Sequence, residues 1–175
     1  MTDLGPEWVP DAEGYPHREA ARVVLFDTRG RILLARGHDA HQPERHWWFT
    51  IGGGILAGED PRSAAVREVR EETGIVLEPS LLVGPVLRRS AQFDFLNVTA
   101  RQDEWFCLAH TRATALDDRG WTDLEREVID VQRWWDLGDL EVERMRVEVY
   151  PRDLVGRARA WRTGWDGRLA LLSEG

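Results

Sequence analysis

Lysine is absent from this 175-residue chain, cysteine occurs once, and no apolar run approaches membrane-spanning length. Each absence excludes chemistry. All 23 basic residues are arginine, so neither a lysine Schiff base nor a phosphate loop closing on Gly-Lys-Ser/Thr is available. With Cys107 alone, no intrachain disulfide and no cysteine-rich zinc site can form. Its setting, "EWFCLAH", is an apolar strand-like run in which a cysteine reads as a small buried hydrophobe rather than a nucleophile. The first 17 residues, "MTDLGPEWVPDAEGYPH", are acidic and punctuated by proline and glycine. They lack a basic region followed by an apolar run, so they read as an irregular leader and not as a signal peptide.

What is present is ordinary globular composition, 42% hydrophobic and 31% charged, enough to bury a substantial core. With no repeat, low-complexity tract or linker, one domain over residues 1–175 is expected, in the reducing cytoplasm and with no membrane contact. The net charge of -8 disfavours non-specific binding to nucleic acid or an anionic membrane, both of which reward clustered positive charge. A small-molecule partner and no nucleic acid are therefore expected, with homodimerisation left open.

Along the chain, 20–26 and 31–36 read as strands joined by the turn "DTRG". A polar loop, "GHDAHQPERH", follows, then an aromatic strand "WWFTIGGG". Pro61–Thr73 carries the clearest helix signals: Asp60 at the N-cap, Pro61 at the first position and Gly74 just past the end. Residues 81–95 and 104–113 read as a pair of strands and 133–137 as a short third. A closing helix is expected over 151–163, where Leu154, Ala158, Trp161 and Trp165 share a face.

The helix at 61–73 crowds Glu68, Glu71 and Glu72 at spacings of three and four residues. Such like-charge pairs destabilise an isolated helix by roughly 0.2–0.5 kcal/mol each, and they lie towards the end where the helix dipole disfavours anions. A solvated acidic face and a divalent-cation site both fit; hard cations take oxygen ligands of this kind.

The surrounding residues carry more. Gly53, five residues, Glu59, seven residues, and then Arg67-Glu68-Val69-Arg70-Glu71-Glu72-Thr73-Gly74-Ile75 resemble the signature of the Nudix hydrolase family at every fixed position. The resemblance implies an α/β/α sandwich around a mixed β-sheet. It also implies hydrolysis of a diphosphate linkage, commonly in a nucleoside diphosphate derivative. Mg²⁺ is the implied cofactor, with Mn²⁺ as a substitute; Glu68, Glu71, Glu72 and the Gly53 carbonyl are the implied ligands. Arg67 would orient the glutamates, and Glu59 would support the loop. A further carboxylate from a later loop would complete the catalytic set. From "TDLEREVIDVQRWWDL" the choice falls on Glu127 over Glu125 and Asp130, with Asp103 and Glu104 competing. Where many members have a proline before the glycines, this chain has Thr50-Ile51, which leaves the substrate class open. A non-catalytic nucleotide sensor and a hydrolase of a non-nucleotide diphosphate are the alternatives.

For substrate contact the candidates are Arg36, Arg45, Trp47, Trp48 and Arg88, with Arg89 beside the last. Adjacent Trp47 and Trp48 face opposite sides of a strand, so one of them is available for stacking on a nucleobase. His38, His41 and His46 share one loop, but no carboxylate or thiolate stands at a recognised zinc-ligand spacing from them.

Overall fold

The computed structural model describes residues 4–175. In chain order the elements are β1 (Val9–Pro10), β2 (Pro16–Phe26), β3 (Ile32–Asp39), β4 (Gln42–Gly54), α1 (Pro61–Thr73), β5 (Val83–Phe95), β6 (Val98–His110), α2 (Asp123–Val128), β7 (Ile129–Trp135), α3 (Leu137–Glu143), β8 (Glu148–Tyr150), α4 (Leu154–Trp161) and β9 (Ala170–Glu174). The strands form one mixed sheet along the path β7-β3-β4-β2-β6-β5-β9, with β1 on β2 and β8 on β4. The pairs β2–β6, β4–β8 and β5–β9 are parallel.

Strand alternation sends successive side chains to opposite faces, and both faces of this sheet are covered. On one side Ala21, Val23, Leu25, Leu33, Ala35 and Ile51 pack under Ala64, Ala65 and Val69 of α1. On the other, Val24, Phe26, Leu34, Trp48 and Trp135 pack under Leu140 of α3 and Leu154, Ala158 and Trp161 of α4. This is the expected α/β/α sandwich. The buried part of central β2, Ala20–Phe26, is apolar except for Arg22 because both of its faces are covered.

Helix α1 has the expected limits. The Asp60 side chain accepts from the backbone N–H groups of Arg62 and Ser63, and Gly74 adopts φ 74° while its N–H reaches Arg70 O. Arg62 reaches across to the carbonyls of Leu82 and Gly84, at 2.9 and 2.6 Å, and so fixes the start of α1 against the chain entering β5. At the other end, Trp121 Nε1 and Gln132 Nε2 both donate to Glu72 O, at 2.7 and 3.1 Å, which satisfies a carbonyl the helix itself leaves free.

Other segments depart from expectation. Most of the polar stretch Gly37–His46 is not loop: β3 runs to Asp39 and β4 starts at Gln42, with His38 opposite His46. Its residues are polar on both faces, so no hydrophobic alternation betrays the strands. Part of the leader is also strand, Val9 pairing with His17; its first three residues lie outside the described residues. Helices α2 and α3 were not anticipated, and the closing helix is confined to Leu154–Trp161.

Candidate active site

The C-terminal half of α1 lies over the glycines that end β4. Glu68 and Glu72 are buried there, 7% and 3% exposed. Gly52 N donates to Glu72 Oε2 at 3.0 Å. The two glycines below them serve different purposes. At Gly52 φ is +143° and a Cβ would stand 2.0 Å from Ala21 O, whereas at Gly53 a Cβ would stand 2.6 Å from Glu68 Oε2. The first therefore permits the backbone path, and the second leaves room for the carboxylate. Arg22 of β2 stiffens the same loop, donating from Nη1 to Gly52 O at 2.8 Å.

A third carboxylate completes the cluster. Glu125, from α2, brings an oxygen within 4.8 Å of those of Glu68 and Glu72. It is held by a reciprocal cap: Thr122 N and Oγ1 donate to Glu125 Oε2 at 2.6 and 2.8 Å, while Glu125 N donates to Thr122 Oγ1 at 3.2 Å. Glu127, the sequence-based choice, is exposed and does not join the cluster. The signal for Glu125 was present as Thr122-x-x-Glu125, a capping box that fixes both a helix start and the orientation of its glutamate.

The competing carboxylates are committed elsewhere. Glu104 accepts from Arg22 Nε at 2.9 Å and Arg89 Nη1 at 2.5 Å. Burial pushes its carboxyl up, yet these two guanidiniums hold it below the ordinary carboxylate range. Asp103 bonds His17, Ser90 and Arg88. Asp130 lies among histidines, as described below. Glu71 is about half exposed and paired with Arg67 at 3.2 Å, apart from the three clustered carboxylates.

Arg67 organises the front of the site. It donates to both oxygens of Glu59 at 2.9 and 2.8 Å, to Glu68 Oε1 at 2.6 Å and to Gly54 O at 2.8 Å. Its bonds to Glu59 draw that carboxyl below the usual range, and Glu59 in turn accepts from Leu56 N at 3.0 Å, supporting the loop. Glu68 and Glu72 shift the other way. Burial raises Glu68 despite Arg67. Burial, reinforced by Glu68 and Glu125, raises Glu72 well above the ordinary range. Crowded, buried carboxylates of this kind are the donor set a hard divalent cation takes.

The substrate candidates separate. Trp48 is 2% exposed and packs edge-on against Trp135 with ring centroids 5.1 Å apart, on the sheet face opposite α1. Arg36, its register partner, shares that face and pairs with Asp130 at 3.3 Å. Neither reaches the glutamates. Trp47 faces α1's side but lies six residues before Gly53, about 20 Å along the strand. Arg45, half-buried and bonded to Asp94 O at 3.3 Å, lies further still.

Arg88 is placed differently. Gly53 pairs with Ala21, Ala21 with Trp105 and Trp105 with Arg88, so these four residues form one row on one face. At about 4.8 Å per strand, Trp105 stands about 10 Å from Gly53 and Arg88 about 14 Å. The Arg88 guanidinium lies over the Trp105 ring, 5.1 Å from its centroid. The placement of Trp105 has no local sequence signal, because it depends on this cross-strand register.

A family pattern, the NUDIX domain, matches residues 16–154. The chain belongs to the NUDIX family. The matched span starts at β2 and ends on the first residue of α4, leaving β1 and β9 outside the NUDIX match. The RNA pyrophosphohydrolase of Dinoroseobacter shibae is 41% identical over 68 residues, covering 39% of this chain and 41% of that protein. The RNA pyrophosphohydrolase of Rhodospirillum rubrum is 44% identical over 71 residues, 41% of each. The match thus spans about two fifths of the curated relatives' length. Among solved structures, an Ap4A hydrolase binary complex from C. elegans shares the fold, with TM-score 0.55, 20% identity, and coverage of 85% of this chain and 99% of that one. Among the described residues, no helix is long and apolar enough to cross a membrane.

Proposed function

We propose that this NUDIX chain hydrolyses the pyrophosphate linkage of a nucleotide-type substrate. A divalent cation of the Mg²⁺ class, with Mn²⁺ able to stand in, would be held by Glu68, Glu72 and the Gly53 carbonyl, with Glu125 facing its open side. The observation that carries this reading is the convergence of three carboxylates within 4.8 Å, two of them buried. The donor set fits the ion: all oxygens, and three carboxylates whose charge Arg67, shared with Glu59, offsets only in part. When bound, such an ion neutralises the carboxylates, polarises phosphoryl oxygens and acidifies its water.

The chain's own residues supply the rest. Arg67 fixes Glu68 and Glu59 by charge-assisted hydrogen bonds. Glu125 is half-buried where Glu68 and Glu72 are enclosed, so it is the carboxylate open to the attacking water and takes its proton. Trp105 offers a ring for a nucleobase, with Arg88 beside it for an anionic or carbonyl edge.

The matched relatives bear the name RNA pyrophosphohydrolase, so excluding nucleic acid on net charge is not supported. Net charge bears on non-specific binding along a backbone, whereas the only phosphoric anhydride of an RNA lies at its 5′ end. The substrate class therefore includes free nucleotides and 5′-polyphosphorylated RNA.

The test is a hydrolysis panel of nucleoside triphosphates, nucleotide sugars, dinucleoside polyphosphates, ADP-ribose and a 5′-triphosphorylated RNA. Each is run with Mg²⁺, Mn²⁺ or chelator, beside Glu72→Gln. Metal-dependent anhydride cleavage that the variant lacks is expected, read as nucleotide and sugar-phosphate products by chromatography or, for the triphosphates, as released phosphate or pyrophosphate; cleavage insensitive to chelator and to Glu72→Gln would overturn the assignment.

A further inference from the structure

A second cluster stands apart from the glutamates. His38 of β3, His46 of β4 and Asp130 of β7 each offer a ligand atom, all within 4.8 Å of one another. His38 and His46 are direct register partners. Asp130 owes its position to a bulge: pairing passes from Arg36–Val131 to Gly37–Ile129, which leaves Asp130 as the extra residue of β7. Bulges re-aim side chains, and here the carboxylate meets His38 Nδ1 at 2.8 Å and His46 Nδ1 at 3.2 Å. Strand alternation puts both histidines on the face shared by Arg36 and Trp48, opposite α1.

We infer that His38, His46 and Asp130 form a binding site for a borderline divalent cation of the zinc class. This inference does not rest on the proposed hydrolysis. Two imidazoles and one carboxylate suit zinc, copper or nickel, whereas Mg²⁺ takes oxygen donors; one chain thus carries two sites of opposite metal preference. Tetrahedral zinc, with bonds of about 2.0–2.1 Å to nitrogen and oxygen, holds its ligand atoms about 3.3 Å apart. His38 Nδ1 stands 2.8 Å from Asp130 Oδ1, and one ligand atom from each of the three residues lies within 4.8 Å of the others, so side-chain adjustment on the order of 1 Å admits the ion.

The three ligands come from three laddered strands, so the geometry is rigid before binding. Arg36 Nε donates to Asp130 Oδ2 at 3.3 Å, an outer hydrogen bond of the kind that orients ligating carboxylates, so Asp130 binds the ion through Oδ1. All three side chains are part-exposed, so the ion can exchange with solvent. Three protein ligands leave a fourth position for water or an anionic donor. Asp130 follows Glu125 by five residues; an ion at this site would therefore pin the start of β7 directly after the helix that presents Glu125.

The test uses tag-free, chelator-stripped protein titrated with Zn²⁺ in excess Mg²⁺, together with Cu²⁺ electron paramagnetic resonance to count nitrogen ligands. One zinc equivalent is expected in the wild type and in Glu72→Gln, and two coupled imidazole nitrogens in the copper spectrum. Zinc affinity should fall at least about tenfold in His46→Ala and Asp130→Asn. If His46→Ala fails to fold, His46→Gln retains a hydrogen bond to Asp130 while removing the imidazole. Zinc binding that is absent in the wild type, survives these substitutions, or vanishes in Glu72→Gln would refute the site.

Discussion

Replacing Glu72 by glutamine should make the metal-free protein more stable, although it removes a charge-assisted hydrogen bond. Glu68 and Glu72 are both buried and their oxygens lie within 4.8 Å. At an effective dielectric constant of about 20, two charges at that separation repel by about 3.5 kcal/mol. Exchanging the ionised acceptor of Gly52 N for a neutral amide oxygen gives back about 1 kcal/mol, and loss of attraction to Arg22 takes a further share. A net gain of about 1–2 kcal/mol remains, or about 2–8 °C in Tm for a chain of this size.

The pH dependence follows from the raised Glu72 carboxyl. The folded state binds the proton more tightly than the unfolded state, so wild-type stability is fullest below the ordinary carboxylate range and declines as pH rises from there. Glutamine cannot titrate, so the two proteins should diverge as pH rises and converge in acid. Mg²⁺ should reverse the order: a ligand at 100 times its Kd adds about 2.7 kcal/mol to the protein that binds it, and Glu72→Gln should gain little. Urea unfolding at pH 5 and pH 8, each with chelator and with Mg²⁺, reads all four corners. A variant less stable than wild type in chelator at pH 8 would show that Glu72 is held for its hydrogen bond and not for a cation.

Three further outcomes separate neighbouring residues. Glu125→Gln should lower kcat at least about 100-fold, while Glu127→Gln, an exposed position, should turn over as wild type; equal losses would remove Glu125 from its assigned role. Trp105→Ala should raise KM for nucleotides about 5–100-fold, the scale of one base stack, whereas Trp48→Ala should cost about 3–5 kcal/mol in urea unfolding. An unchanged KM in the first would detach the β6 row from the substrate. Gly52→Ala should cost more than about 3 kcal/mol, because its Cβ would stand 2.0 Å from Ala21 O; a wild-type unfolding midpoint would contradict that backbone path.

How far the sequence was legible depended on how local the signal was. Helix α1 was read to its end residues because Asp60, Pro61 and Gly74 act on their own neighbours. The sandwich followed from the family signature, and Glu68 and Glu72 of the cluster with it, whereas Glu71 stands apart. Trp48 could not be assigned to core or cleft from its own position, because the two faces of β4 differ only in whether α1 or α4 covers them. Asp130 was less legible still. Its encounter with His38 and His46 requires a β3–β4 ladder through polar residues and a one-residue bulge in β7, neither of which leaves a hydrophobic pattern.

Glu125 lies between these cases, and it shows what was overlooked rather than hidden. Thr122-x-x-Glu125 is a local signal of the same kind that delimited α1. It turns the choice among Glu125, Glu127 and Asp130 into one by geometry: the capped glutamate is the one whose side chain is fixed. The same cap explains why the short helix α2 can present a carboxylate to a buried pair. Thr122 holds one end of Glu125 through Oε2, so its orientation costs the active site little conformational entropy when a cation or substrate arrives. Thr122→Ala, which leaves every carboxylate in place, should therefore lower kcat by a smaller factor than Glu125→Gln while sparing KM. Equal kcat for Thr122→Ala and wild type would show that the cap stabilises α2 alone.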